Sequence, residues 1–411
     1  MLTIMYNGYM PHERKRYLSE LLKSVLNVSP IVGILGHRQV GKTTLLMQHC
    51  SQYFSLDDRD TFDKIESNPK NFLKNHHKLK VGLDESQLLP ELFTALKEQV
   101  RTDKRPGQFI LSGSVRFTSR RAIRESLTGR IMNLELLPMS MSEIKNLPLS
   151  NAVDKILTTD SLLKLDDYFE IESKRRMSLF AQIDESIERG GLPGVCFIRN
   201  KKLAENKIAE QLSTILDRDI RQIYPTSLSY TQILDFVREL SKIEGRPLQF
   251  SKIKAQTKLQ ESTQKKLLYA LESVFLIRPM PIEGGRKGMT LFFEDQAESH
   301  YLSLRKSNSK ESWTGLCYRN IRVPLFYELG KNYRYFSFLT KGKSNVPFAV
   351  QSPSGILGFI PIEGDRPEHA DQIHANSFLK HYANSKIIYV CKSKKIEIMS
   401  DRIAILPLVV F

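Results

Sequence analysis

The sequence is poor in cysteine: Cys50, Cys196, Cys317 and Cys391 are its four, and they lie far apart in a chain of 411 residues. They form no CxxC pair and show no metal-ligand spacing, which disfavours a structural metal site and a disulfide-stabilised secreted domain. No stretch approaches the roughly 20 apolar residues that a membrane helix requires, and the first residues lack a signal-peptide core. We therefore expect a cytoplasmic protein with reduced, mostly buried thiols and no membrane partner.

Acidic residues are in the minority, with 45 Asp and Glu against 61 Lys and Arg, which gives a net charge of +16. A basic surplus favours a polyanionic partner, although a lysine-rich solvated surface explains it equally well. The hydrophobic fraction of 41% and the charged fraction of 26% exclude a fibrous or wholly disordered chain. A chain of this length accommodates two or three domains.

Short apolar runs alternate with helical patterns in the first part of the chain. The runs at 31–35, 53–56, 81–83 and 109–111 each end in a polar or glycine-rich stretch, and a helix with a proline in its first turn is predicted at 89–97. This alternation predicts an α/β fold with an open parallel sheet. A functional site is expected where the strands reach their carboxyl ends.

A glycine-rich loop follows the first apolar run and matches the G-x-x-x-x-G-K-[ST] pattern in full. Its backbone N–H groups and the following helix N-terminus are expected to face phosphate oxygens. Lys42 would reach the β- and γ-phosphates, and Thr43 would hold Mg²⁺. The loop predicts a site for ATP or ADP with Mg²⁺, formed by Gly36, His37, Arg38, Gln39, Val40, Gly41, Lys42, Thr43 and Thr44.

Two later strand ends supply the groups that would act with this loop. Asp84 follows the run at 81–83 and is the second predicted metal ligand, while Glu85 is the predicted base for the attacking water. An exposed Asp-Glu turn is the competing interpretation. Ser112 ends the next strand, where its hydroxyl could sense the γ-phosphate, although Ser-Gly-Ser is also common in turns.

The remainder of the chain divides by pattern into a helical and a strand-rich part. A sharp turn at 190–194 precedes helices predicted at 202–221 and 229–243, two short helices at 250–255 and 262–271, and a strand pair around Gly284. Two helices followed by a hairpin is the order of a winged helix. The predicted divisions are 1–147 for the P-loop domain, 148–180 for a polar linker, 181–306 for the helical and winged-helix domain, and 307–411 for a third domain.

Lysines are concentrated in the two short helices of this winged-helix segment. Between 252 and 266 there are five of them against one acid, Glu261, and Gln264 and Lys265 stand near the start of the second helix. In a winged helix that end enters the DNA major groove, so these two side chains are candidates for base or phosphate contacts. The alternative is that the lysines only solvate a helix pair packed on the ATPase core.

Further motifs occur in the order found in one family: Tyr53-Phe54-Ser55-Leu56-Asp57-Asp58, Asp84-Glu85-Ser86-Gln87, Glu125-Ser126-Leu127-Thr128-Gly129-Arg130, Leu136-Leu137-Pro138-Met139-Ser140, Gly190-Gly191-Leu192-Pro193 and Asp217-Arg218-Asp219-Ile220. The chain resembles the bacterial and archaeal AAA-type ATPases that carry a C-terminal domain of unknown function. The resemblance implies an ASCE-type P-loop core, a winged helix and a C-terminal fold like the restriction-endonuclease sheet. It also implies that Arg130 acts on the γ-phosphate in cis or from a neighbouring subunit; a structural salt bridge is the alternative.

The last domain departs from the nuclease pattern of such relatives. Asn320 stands where a Glu is usual, Pro347 replaces the metal-binding Asp, and Glu363 is followed by Asp365 where a Lys is usual. One carboxylate cannot assemble the metal cluster that activates water for phosphodiester cleavage. A degenerate domain without nuclease activity is therefore expected.

These patterns together predict an ATPase whose nucleotide state moves the winged-helix and C-terminal module. DNA, a protein partner or self-association are the candidate targets of that movement. The alternative is a nucleotide-gated regulatory binding protein that turns over little.

Overall fold

The computed structural model describes residues 14–76, 78–117, 129–303, 309–328 and 333–411. The first part of the chain alternates strands and helices. Its elements are α1 (Leu18–Leu26), β1 (Ile31–Gly36), α2 (Lys42–Met47), β2 (Gln52–Ser55), α3 (Arg59–Ser67), α4 (Pro69–His76), β3 (Val81–Asp84), α5 (Pro90–Thr102), β4 (Phe109–Gly113), β5 (Ile131–Leu136) and α6 (Met141–Ile144).

Within the described residues these strands form a five-stranded parallel sheet in the order β2-β3-β4-β1-β5. All residues of β1, β3 and β4 are buried, as expected for parallel strands with both faces covered. The predicted α/β fold with a P-loop sheet is confirmed. Because β4 lies between β1 and β3, the carboxyl ends of these three strands stand side by side.

The middle part of the chain is mostly helical. Its elements are α7 (Ala152–Thr158), α8 (Asp166–Arg175), α9 (Ile183–Arg189), α10 (Pro193–Cys196), α11 (Lys201–Thr214), α12 (Ile220–Ile223), α13 (Tyr230–Ser241), α14 (Phe250–Thr257), α15 (Glu261–Ser273), β6 (Ile277–Glu283), β7 (Met289–Phe293) and α16 (Gln296–Ser303).

The helix predicted at 202–221 is interrupted. Ile215–Asp219 forms a π-helical turn between α11 and α12, and this turn is wider than a turn of a regular α-helix. The π turn carries the Asp217-Arg218-Asp219 motif. A change of this kind rotates the residues after the turn relative to those before it, which a pattern of 3.6 residues per turn does not predict.

The stretch 148–180, predicted to be a polar linker, is instead part of a folded core. Ile156 of α7 and Phe169 of α8 are buried in one apolar cluster with Phe359 and Leu406 of the C-terminal sheet. Many of the residues in this stretch are charged. Phe359 and Leu406 lie more than 150 residues further along the chain, so the local pattern did not reveal this packing.

The last part of the chain forms a second sheet with flanking helices. Its elements are α17 (Lys310–Phe326), β8 (Arg334–Leu339), β9 (Asn345–Ser352), β10 (Gly355–Pro361), α18 (His369–His381), β11 (Ser385–Cys391), β12 (Glu397–Ser400) and β13 (Ile403–Pro407). Across the described residues the sheet has eight strands in the order β12-β13-β11-β10-β9-β8-β6-β7. Its likeness to a restriction-endonuclease sheet stays a prediction.

The β6–β7 hairpin therefore belongs to two units. It follows α13, α14 and α15 in the order predicted for a winged helix, and it is also the edge of the second sheet, since Ile282 pairs in parallel with Ser337 of β8. The winged-helix assignment remains a prediction. The hairpin is not the separate wing that the sequence suggested.

A single apolar cluster joins the P-loop sheet to the helical part. It contains Ile34 and Leu136 of the sheet together with Ile208, Phe236 and Leu271 of the helices, all 2% exposed or less. The P-loop therefore lies over an interface between the two parts. In the described residues no helix is long and apolar enough to cross a membrane, and all four cysteines are free thiols.

Candidate nucleotide site

The loop between β1 and α2 has the curled backbone that the P-loop pattern predicts. Gly41, directly before α2, has φ of 99°, a left-handed conformation that disfavours any residue with a Cβ atom. The loop brings Lys42 back over its own carbonyl groups: Nζ donates to the oxygens of Gly36 at 3.0 Å and His37 at 2.8 Å. The Lys42 ammonium is thus held within the curl.

Lys42 is 5% exposed, less than expected for a residue of a solvated loop. Burial lowers the pKa of Lys42 below its ordinary value, while the carboxylates of Glu85 and Asp84 oppose that effect. An ammonium group that has only carbonyl oxygens as hydrogen-bond partners is well placed to bind an anion.

Asp84 is the centre of the hydrogen-bond network at the strand ends. Its Oδ2 accepts from Thr43 Oγ1 at 2.6 Å and from the Tyr53 hydroxyl at 2.9 Å. Its Oδ1 accepts from Ser112 Oγ and from the Glu85 backbone N–H, the latter at 3.2 Å. The structure therefore brings the two predicted metal ligands, Thr43 and Asp84, into direct contact, with Ser112 beside them.

Glu85 follows in a left-handed conformation, with φ of 51°. Its Oε2 accepts hydrogen bonds from Ser114 Oγ at 3.0 Å and from Gln87 Nε2. It lines a polar cavity of about 40 Å³ together with Ser114, Arg38 and Arg218. The predicted base thus faces a cavity of the size of a water molecule or slightly larger.

These groups suit a magnesium nucleotide. A hydroxyl and a carboxylate 2.6 Å apart offer two hard oxygen ligands, and Mg²⁺ is commonly held by one or two protein oxygens together with substrate phosphates. Lys42 supplies the positive charge that phosphate oxygens require. Thr43 and Asp84 are the residues that would hold the metal ion.

Two P-loop side chains, those of His37 and Arg38, contact the helical part of the chain. His37 is 1% exposed, and its Nε2 lies 3.0 Å from Oε2 of Glu298 on α16. Arg38 Nε donates to Oδ2 of Asp219 at 2.5 Å. Burial lowers the pKa of His37, but the Glu298 carboxylate outweighs burial, so that the pKa lies above its ordinary value. The His37 side chain therefore does not face the phosphate site, and only its backbone can.

Sequence reasoning missed several residues that build this site. Arg16 is 6% exposed, and its guanidinium donates to the Val40 oxygen at 2.7 Å and contacts Glu143 Oε1 at 3.2 Å. It lies in the basic stretch at 14–16, which matches no motif. Tyr53 and Gln87 lie within the family motifs and Ser114 ends the Ser-Gly-Ser turn, but nothing in the sequence assigned these residues a contact.

Arg130 lies at the opposite end of the sheet. It directly precedes β5, whose first residue, Ile131, pairs with Ile31 at the start of β1, whereas the P-loop follows Gly36 at the end of β1. Five residue steps of about 3.3 Å separate the two ends by about 17 Å. The structure does not bring Arg130 to the nucleotide site of its own chain, which counts against the cis alternative. Residues 125–128 of its motif lie outside the described residues.

The residues at the positions of a nuclease metal site make other contacts or are exposed. Asn320 Oδ1 accepts from the Met141 backbone N–H at 2.8 Å, which ties α17 to α6. Pro347 lies within β9, and Glu363 and Asp365 are exposed. In the described part of the chain no group of three or more His, Cys, Asp and Glu is placed to hold a metal ion.

The lysines of the segment 252–266 are exposed, but one of the two residues predicted to contact DNA is buried. Gln264 is fully buried, and its amide donates to the Leu259 oxygen at 2.9 Å and the Phe250 oxygen at 3.2 Å. It joins α14 to α15 and is not available to a DNA base, so that part of the prediction is wrong. All five lysines are exposed, namely Lys252, Lys254, Lys258, Lys265 and Lys266.

Comparison with known sequences adds two matched regions. A family profile described as an AAA domain matches residues 28–145, and one described as a domain of unknown function (DUF8612) matches residues 181–282. The uncharacterized proteins Mb2031c of Mycobacterium bovis and Rv2008c of Mycobacterium tuberculosis are each 28% identical over 145 residues. That match covers 34% of this chain and 32% of each relative, about a third of their length.

Two solved structures are similar at a low level. The Walker-type ATPase paby2304 of Pyrococcus abyssi is 15% identical, with 69% of this chain and 94% of that chain covered and a TM-score of 0.37. A DNA polymerase III gamma subunit-related protein of Thermotoga maritima is 11% identical, with 62% and 99% covered and a TM-score of 0.24. The profile match at 28–145, the parallel sheet and the P-loop together identify the first part of the chain as an AAA-type P-loop domain, which is followed at 181–282 by a domain of unknown function.

Proposed function

We propose that the chain binds ATP with Mg²⁺ at residues 36–44 and hydrolyses it. The observation that carries this proposal is the contact of 2.6 Å between Thr43 Oγ1 and Asp84 Oδ2, next to the enclosed Lys42 ammonium and the Glu85 carboxylate. A phosphate-binding cation, a pair of metal ligands and a base stand at neighbouring strand ends. This is the set of groups that phosphoryl transfer to water requires.

Each residue has a separate role in the proposed reaction. Lys42 exchanges its carbonyl partners for β- and γ-phosphate oxygens, and Thr43 and Asp84 hold Mg²⁺, which when bound neutralises phosphate charge. Glu85 takes a proton from the attacking water. The bond from the water oxygen to the γ-phosphorus forms as the bond to the β,γ-bridging oxygen breaks, which leaves ADP and phosphate.

We propose that the P-loop transmits nucleotide binding to the helical part of the chain. His37 and Arg38 contact Glu298 and Asp219, which lie 261 and 181 residues further along the chain. A phosphate that reshapes the loop backbone would shift both contacts. This supports the proposed coupling between the nucleotide and the module that carries α13 to α15.

A second candidate function is a nucleotide-gated switch with little turnover. The contacts that favour it are those from Ser114 and Gln87 to Glu85 Oε2, because a carboxylate held by two hydrogen bonds is less free to turn toward an attacking water. ADP that stays bound through purification, with no turnover beyond one nucleotide per chain, would distinguish this switch from an ATPase.

Replacement of Lys42 by Ala tests the nucleotide site. The Lys42→Ala protein is expected to bind ATP about 10- to 100-fold more weakly, because one charge-assisted contact to phosphate is lost. Calorimetric titration with ATP and Mg²⁺ measures the affinity. Lys97→Ala removes an exposed lysine from α5 and is the matched control, with affinity unchanged. Equal ATP affinity of the folded Lys42→Ala protein and wild type would contradict the assignment.

DNA is the proposed target of the helical module. The observation that favours it is the exposure of all five lysines on α14, α15 and their connection, with exposed Arg286 and Lys287 at the turn of the β6–β7 hairpin. Three of the lysines have partners within the protein. Lys265 pairs with Glu261 at 2.6 Å, Lys266 lies 5.7 Å from the centre of the Tyr224 ring, and Lys258 Nζ donates to the Ala255 oxygen at 3.4 Å.

Charge reversal on α15 tests this target. The double change Lys265→Glu and Lys266→Glu is expected to weaken duplex binding and to reduce the slope of log affinity against log salt by about 1.8, or about 0.9 per phosphate contact. Filter binding over a salt series measures both quantities. Lys97→Glu with Lys104→Glu changes the net charge equally on another exposed surface. Equal slopes for the two double variants would show that α15 does not contact DNA phosphates, and would favour a protein-contact role for this helix.

A further inference from the structure

The solvent-facing side of α15 carries an aromatic ring among lysines. The exposed residues of this helix are Glu261, Ser262, Lys265, Lys266 and Tyr269. The last four recur at the spacing i, i+3, i+4 and i+7, which places side chains on one face of a helix. Tyr269 is 53% exposed, and every other Phe, Tyr and Trp in the part of the chain that the structure describes is buried or half-buried. This ring is therefore not used for packing.

Two further rings lie next to the lysines of the same face. Lys265 Nζ lies 5.4 Å from the centre of the Phe250 ring, and Lys266 Nζ lies 5.7 Å from the centre of the Tyr224 ring. Both rings are half-buried. Gln264 fixes the start of α14 beside α15, because its amide donates to the Phe250 oxygen at 3.2 Å. Aromatic rings and ammonium groups are thus interleaved across this surface.

The charge of this surface is complementary to phosphate. Residues 250–273 include five lysines against two acids, Glu261 and Glu272, which leaves an excess of three positive charges. Glu261 pairs with Lys265 at 2.6 Å, but both side chains are more than half exposed. An ion pair in solvent contributes little, so a phosphate can take the place of Glu261. Among the described residues Lys266 has the Tyr224 ring as its contact and no carboxylate partner.

We propose that the exposed face of α15 binds single-stranded DNA, with an unpaired base stacked on Tyr269 and the neighbouring phosphates held by Lys265 and Lys266. This inference rests on the proposed DNA target and adds a preference for unpaired bases. Every base has a flat face that can stack on an aromatic ring, whereas the bases inside a duplex are already stacked on each other. A duplex is held by the lysines alone, and a single strand by the lysines and the ring.

Two labelled strands of equal length and charge test this assignment by fluorescence anisotropy with the full chain. One is an oligo-dT strand of about 12 nucleotides, within the usual site size of such surfaces, and the other is an abasic strand that has the phosphates but no bases. Wild type is expected to bind the oligo-dT strand more tightly. Tyr269→Ala is expected to weaken oligo-dT binding about 5- to 100-fold and to leave the abasic strand unchanged. Tyr269→Phe keeps the ring and is expected to match wild type.

The control is Leu163→Ala, which truncates an apolar side chain of similar exposure, 58%, in the stretch 148–180. Its affinity for both strands is expected to match wild type, and thermal unfolding establishes that each variant is folded. A wild-type protein that binds neither strand nor a duplex would overturn the proposed DNA target itself. A wild type that binds DNA without preferring oligo-dT to the abasic strand, or a Tyr269→Ala protein that retains this preference, would overturn only the stacking role of Tyr269.

Discussion

Replacement of Glu85 by Gln is expected to lower ATP turnover by about 100- to 10,000-fold, the usual contribution of a general base. Glutamine keeps the shape of the side chain and can still bind Ser114 and Gln87, but it cannot take the proton of the attacking water. ATP affinity should stay within a few-fold of wild type, because Lys42 and Thr43 are untouched. Single-turnover hydrolysis and calorimetry on the same preparation separate the two quantities.

The matched control for this experiment is Glu91→Gln, which neutralises an exposed carboxylate in the first turn of α5. It should hydrolyse ATP at the wild-type rate. If Glu85→Gln does so as well, Glu85 is not the base. If wild type itself binds ATP and does not turn over, the nucleotide-gated switch becomes the better description.

Gly191→Ala, in the turn between α9 and α10, is expected to lower the free energy of unfolding strongly. A Cβ atom at this position would lie 2.1 Å from the Met139 carbonyl oxygen and 2.8 Å from the Met139 nitrogen. Both are backbone atoms that cannot rotate away, and the Met139 N–H also donates to the Gly191 oxygen at 2.8 Å. We expect a loss of about 3 kcal/mol in the free energy of unfolding, at the upper end for an overpacked core.

Urea denaturation measures this loss, and Gly342→Ala provides the comparison. The nearest atom to a Cβ at Gly342 is Thr340 Oγ1 at 3.7 Å, an ordinary van der Waals distance. That variant should lie within about 0.5 kcal/mol of wild type or be slightly more stable. Equal denaturation midpoints for Gly191→Ala and wild type would show that the turn is not tightly packed against Met139.

The sequence predicted those parts of the site that are encoded locally. The P-loop, Asp84, Glu85 and Ser112 each follow directly from an apolar run, and parallel strands place their ends together without further information. Asp84 could therefore be placed near Thr43 before any distance was known. The contacts of the P-loop with Asp219 and Glu298 depend on how α11 to α16 pack, and no local pattern encodes that packing.

The errors have the same origin. Gln264 was predicted to face DNA from its place near the start of a helix, but the angle between α14 and α15 turns its amide toward the Leu259 and Phe250 oxygens. The stretch 148–180 looked like a linker because many of the residues that it packs against lie in the distant C-terminal sheet. The role of Arg130 was carried over from a family motif as acting in cis or from a neighbouring subunit, and the register of β5 against β1 counts against the cis form alone.

The shared hairpin has a mechanical consequence. Since β6 is hydrogen-bonded to β7 on one side and to β8 on the other, any rotation of α15 that carries the hairpin must also carry the eight-stranded sheet. Such a rotation would therefore be carried across the whole sheet to β12, the strand at the opposite edge. Displacement grows with distance from the axis of a rotation about α15, so Glu397–Ser400 would move further than the hairpin.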